Sequence, residues 1–148
     1  MSEDPIRLCL QRWHAHLDGR LDRGFESLLH EDCVFLSPIV FTPQQGRAIT
    51  ALYLQAAFDS LGGEPSDDDA SADRDSFRYV KEIAAGHQAV LEFETTIDGK
   101  YANGVDIITC DADSLITEFK VMIRPLQAVN AVHAQMKAML ESLTAEPN

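Results

Sequence analysis

Four successive runs between residues 77 and 123 alternate apolar with polar side chains, and that period of two commits the stretch to a β-sheet. The runs carry Phe77, Tyr79 and Ile83, then Leu91, Phe93, Thr95 and Ile97, then Val105 and Ile107, and last Phe119, Val121 and Ile123. Their joints, around Ala85-Gly86-His87, Asp98-Gly99 and Asp111 to Ser114, are turn chemistry of hairpin length. Strands joined in this way run antiparallel, so the expected sheet is a meander.

Upstream the period changes to three and four. Asp4-Pro5 supplies an N-cap followed by proline at the first helical position, and Ile6, Cys9, Leu10, Trp13 and Leu17 then form one apolar stripe that ends at Gly19. A second helix carries Phe25, Leu28 and Leu29, Cys33 to Leu36 reads as a strand stopped by Ser37-Pro38, and Ile39-Val40-Phe41 as another short strand. Arg47 to Leu61 is helical, with Ile49, Leu52, Tyr53, Ala56 and Ala57 on one side and Gly62-Gly63 as its stop. A last helix starts near Pro125 and turns Leu126, Val129, Val132, Met136 and Leu140 inward. Helices followed by an antiparallel sheet make an α+β fold with helices against one sheet face.

A length of 148 residues suits one domain spanning 1–148. Twelve basic residues against 24 acidic ones leave a net charge of −12, a surface that repels phosphate backbones and anionic lipid heads, so nucleic acid and membrane are poor partners. Residues 62–75 hold Glu64, Asp67, Asp68, Asp69, Asp73 and Asp75 against Arg74 alone, which reads as a mobile acidic loop. Cys9, Cys33 and Cys110 form no C-x-x-C, and the amino-terminal residues carry no export signal, so a reducing cytoplasm is the expected location.

Phosphate-binding and serine-nucleophile motifs are absent: the eight glycines make no G-x-G-x-x-G, no G-x-x-x-x-G-K and no G-x-S-x-G. His14 and His16 sit two apart on a helix and cannot share a metal, and His30-Glu31-Asp32 reads as an imidazole near a helix C-terminus, so no metal and no cofactor is expected. Glu92 and Glu94 share one strand side, which reads as a solvated or dimer-facing surface. The sharper signal is Asp106, an acid in line with Gly104, Ile108 and Cys110. If that face is enclosed, desolvation raises its pKa and fits it to donate a proton. If not, it is a solvent-facing acid or a structural one paired with Arg124 or a backbone amide.

The order and spacing of Leu10 to Trp13, His30 to Phe35 before Ser37-Pro38, Gly46, Gly104-Val-Asp106, Leu115 to Phe119 and Arg124-Pro125 resemble the SnoaL-like branch of the nuclear transport factor 2-like superfamily. That resemblance covers nearly the whole chain and implies a cystatin-like cone, a homodimer, and cofactor-free isomerase, cyclase, dehydratase or hydrolase chemistry on a small hydrophobic molecule. It implies a cavity lined by Trp13, Phe35, Ser37, Tyr53, Phe93, Ile108 and Met122, with Arg124 a candidate anion clamp and Asp106 the candidate acid. Against the ketosteroid isomerases of the superfamily, Ser37 stands where the general-base aspartate is required and Trp13 where the oxyanion tyrosine is, while Asp106 matches the oxyanion aspartate. A serine is no base at neutral pH, so that isomerisation is not expected. The competing expectation is a non-catalytic dimeric module whose cavity is filled by its own side chains.

Overall fold

The computed structural model describes residues 4–19, 24–61, 77–97 and 99–144. In chain order the elements are α1 (Pro5–Leu17), α2 (Phe25–Leu28), β1 (Leu29–Leu36), β2 (Gln44–Gln45), α3 (Arg47–Leu61), β3 (Arg78–Ala85), β4 (Gln88–Ile97), β5 (Lys100–Cys110), β6 (Ile116–Arg124) and α4 (Leu126–Thr144). The expected acidic loop at 62–75 and the stop at Gly62-Gly63 lie outside the described residues.

One mixed six-stranded sheet runs in the order β2-β1-β6-β5-β4-β3. Strands β3 to β6 form the antiparallel meander that the alternation dictates, and β1 extends it by pairing parallel to β6. One sheet face carries Leu91, Phe93, Thr95, Asp106, Ile108, Phe119 and Val121, all buried, and the helices lie against it. From α1, Ile6, Cys9, Leu10 and Trp13 fill that interior, as their spacing requires. Hydrogen bonds to the helix start seat it: Ile6 N–H donates to Gly86 O (3.1 Å), Gly86 N–H to Asp4 Oδ2 (2.8 Å) and Ser114 Oγ to Pro5 O (2.8 Å).

Several local expectations are corrected. Ile39-Val40-Phe41 is a bend and not a strand, because Ser37 Oγ accepts the Ile39 and Val40 N–H groups (2.9 and 3.2 Å) and folds the chain back; the short strand is Gln44–Gln45. Leu29 belongs to β1, which therefore starts earlier than Cys33. His30 then lies within the strand, where Nδ1 accepts the Asp32 N–H at 2.9 Å, rather than at a helix end. On α3 the buried residues are Thr50, Leu54 and Ala56; Ala56 is inward as expected, Thr50 and Leu54 were not expected there, and the expected Ile49, Leu52 and Tyr53 are only half-buried. Leu126 is 73% exposed at the start of α4, whose inward side is Ala128, Val132 and Met136, while the side chain of Leu140 lies outside those described.

Ile83 is also displaced. Tyr79 pairs with Phe93 but Lys81 with Glu92, so Val80 is an extra residue in β3, and every residue after it changes sides. Ile83 is 60% exposed on the outer face in consequence, and Glu82 points to the helix side, where its Oε1 lies 2.9 Å from His14 Nε2.

Candidate functional site

Asp106 faces inward. Register sets it opposite Leu91 on β4 and Val121 on β6, both buried, and it is itself 6% exposed. Its partner is Tyr79, two strands away, whose hydroxyl donates to Asp106 Oδ2 at 2.5 Å above the intervening β4. Trp13 Nε1 in turn donates to the Tyr79 hydroxyl at 2.9 Å, so an indole, a phenol and a carboxyl form one directed chain from α1 to β5. Loss of solvent pushes the Asp106 carboxyl up from 3.8 to about 7, against the opposing pull of the Tyr79 hydrogen bond. The same burial, together with the Asp106 charge, drives the Tyr79 phenol well above its ordinary range.

Arg124 does not pair with Asp106. Residues 122 and 124 have the opposite parity to Val121 and Ile123 along β6, so Met122 and Arg124 lie on the outer face, Met122 50% exposed and Arg124 donating to Asn103 Oδ1 at 3.2 Å. Neither belongs to the interior expected of them. Glu92 and Glu94 share that outer face: Glu94 accepts from Arg78 (2.9 Å) and Tyr101 (2.7 Å), and Glu92 from Asn103 (3.0 Å).

The remaining expected cavity residues divide into two groups. Trp13, Phe35, Phe93 and Ile108 are packed core. Trp13 packs tilted against Phe119 at 5.0 Å between centroids, while Phe119 stacks on Phe35 at 6.3 Å and Phe93 on Phe77 at 4.9 Å. Ser37 and Tyr53 instead line an actual pocket of about 250 Å³, with Ile39, Val40 and Met136 completing its apolar wall. Tyr53 leans on Phe35 at 5.5 Å, which joins the pocket wall to the aromatic core, and Asp106 does not line the pocket.

The rim of the pocket is His133, Lys137 and Glu141, three exposed residues at intervals of four along α4. Sequence reasoning missed these and Tyr79. Tyr79 was visible only as a strand residue of inward parity, and its approach to Asp106 depends on pairing across two strands. The α4 residues carry a helical period, but nothing in that period says that a bend after β1 will face them.

Among the described residues no group of three or more histidine, cysteine, aspartate or glutamate side chains is placed to hold a metal, and no helix is long and apolar enough to cross a membrane. The three cysteines are buried free thiols. Cys9 and Cys110 adjoin each other, and burial together with this neighbour pushes Cys9 up to about 12.

No family model and no curated protein matches the chain. Solved structures do. A steroid delta-isomerase from Pseudomonas aeruginosa is similar over 97% of both chains at 29% identity, with a TM-score of 0.82. An uncharacterised protein with a cystatin-like fold from Silicibacter pomeroyi is 27% identical, covering 88% of this chain and 83% of its own, at a TM-score of 0.71. A nuclear transport factor 2-like protein of unknown function from Mesorhizobium loti shares the fold at 17% identity and a TM-score of 0.62, over 84% of this chain and 98% of its own. The helix-backed sheet of β3 to β6, extended by a parallel β1, agrees with these likenesses, and the chain has the cystatin-like α+β fold that these structures share.

Proposed function

We propose that the protein binds a small, largely apolar molecule in the pocket between α3, α4 and the bend after β1. The observation that carries this reading is the pocket itself: about 250 Å³, walled by Ile39, Val40, Tyr53 and Met136, with few polar groups. That volume is below the roughly 300–1,000 Å³ typical of drug-sized ligands. It suits a small ligand better than a whole steroid. Ser37 supports the same distinction. Its hydroxyl oxygen is engaged in closing a turn, so it is not the base that a ketosteroid isomerase needs. The test is calorimetric titration with octan-1-ol and similar small apolar compounds on the wild type and on Val40→Trp, whose indole would occupy the pocket. Binding by the wild type that the variant loses supports the reading, and equal binding by both sinks it.

A second reading is favoured by the chain from Trp13 through Tyr79 to a carboxyl that keeps its proton up to about 7. In it Asp106, which does not line that pocket, is the acid for cofactor-free isomerase, cyclase, dehydratase or hydrolase chemistry on a substrate other than the pocket's ligand. The name of the 29% identical relative, a steroid delta-isomerase, supports this class without naming a substrate here. Turnover of a bound compound that Asp106→Asn abolishes would establish it, and unchanged turnover would remove it. The outer sheet face, with Ile83, Val80, Tyr101 and Met122 exposed beside paired charges, is proposed as the contact of a homodimer.

A further inference from the structure

The rim of the pocket is chemically unlike its wall. His133, Lys137 and Glu141 lie one turn apart on a single line of α4, and each borders the pocket whose wall is Tyr53, Met136, Ile39 and Val40. In a chain of net charge −12, this line places an ammonium and an imidazole beside one carboxylate at the mouth of an apolar recess. Lys137 makes no ion pair among the described residues. Glu141 follows Lys137 by four, the weaker of the two orders for a helical pair. A cation without an ion pair among the described residues, at the edge of an apolar pocket, complements a molecule with an apolar body and an anionic end, the body displacing water from the wall while the charge stays in solvent at the rim.

From this we infer that the pocket takes a small monocarboxylate, a medium-chain fatty acid or an aryl-alkanoate, with its carboxylate held by Lys137 beside His133. The inference rests on the pocket reading above and goes past it in naming the head group. Glu141 enters with the opposite sign, since it repels the carboxylate that Lys137 attracts. An exposed ion pair is worth little, about 0.2–1 kcal/mol, so the expected preference for acid over alcohol is about 1.4- to fivefold at low salt. It should fall as salt is added.

The experiment titrates nonanoate, octan-1-ol and octylamine into the wild type, Lys137→Gln, Glu141→Gln and Val40→Trp by calorimetry at pH 7.5 and low ionic strength. All three probes carry the same octyl group and differ in the head group. The expected result is that nonanoate binds more tightly than octanol and octylamine least. The acid-to-alcohol ratio should fall toward one in Lys137→Gln and rise in Glu141→Gln. Equal affinity for acid and alcohol, a ratio that survives Lys137→Gln, or an amine that binds tightest would overturn the head-group inference and leave the pocket reading standing. Failure of every probe, or undiminished binding to Val40→Trp, would remove the pocket reading and this inference with it. Substitutions at Lys137 and Glu141 are at exposed helix positions, where glutamine keeps helix propensity, so lost binding will not reflect lost folding.

Discussion

Asp106 shows how one residue can work against the fold that houses it. Its carboxyl loses a proton at about 3.8 when the chain is unfolded and only at about 7 when it is folded. Between those values the folded state binds the extra proton, so stability falls as pH rises through that window and is level above it. Asparagine keeps the acceptor for the Tyr79 hydroxyl and cannot ionise. Asp106→Asn should therefore melt close to the wild type at pH 4.5 and distinctly higher at pH 8, by an amount on the order of a few kcal/mol. Thermal unfolding of both proteins across that range checks it, and a constant offset would show that the carboxyl does not titrate as its burial implies. The acid was visible in the sequence as a polar residue aligned with Gly104, Ile108 and Cys110, but the alternation was silent on which face was enclosed. The hydroxyl that reaches it comes from two strands away.

At the level of elements, β4, β5 and β6 pack so closely at one point that a glycine is required there. Gly104 lies opposite Phe93, and a Cβ placed on it would come within 2.5 Å of both the Phe93 ring and the Met122 carbonyl. The clash involves a backbone oxygen and a fully buried ring, so neither neighbour yields cheaply. Gly104→Ala should cost about 1–3 kcal/mol in urea denaturation, and a change below about 0.5 kcal/mol would mean that the sheet adapts more freely than its packing suggests. The bulge at Val80 acts on the same scale. One inserted residue leaves Tyr79 facing inward while sending Ile83 to the outer face. A period-two reading of β3 misplaces everything after it, because the inserted residue carries no mark in its chemistry.

Over the whole molecule, the curved sheet divides its apolar residues between two uses. Its inner side is packed against the helices, and its outer side leaves Ile83 and Met122 in solvent among ion pairs. If that side joins two copies, Met122→Glu should convert a dimer at micromolar concentration into a monomer in sedimentation equilibrium, and a mass unmoved by the substitution would place assembly elsewhere. The outcome bears on the site as well, since Met122 sits behind β6, away from the pocket it was expected to line.

The sequence by itself determined the α+β layout, the meander from β3 to β6 and the buried stripe of α1, because a side-chain period of two or of three and four is a local property read within a few residues. Its likeness to the nuclear transport factor 2-like proteins was legible for the same reason, carried by short strings in a fixed order. Only the tertiary structure decided which side of β6 was enclosed, that Tyr79 and not Arg124 would meet Asp106, and that Ser37 and Tyr53 would open onto α4 while Trp13, Phe35 and Phe93 closed into core. Those outcomes depend on register, on one bulged residue and on a serine-closed bend, and each joins groups far apart in the chain through contacts that no local pattern records.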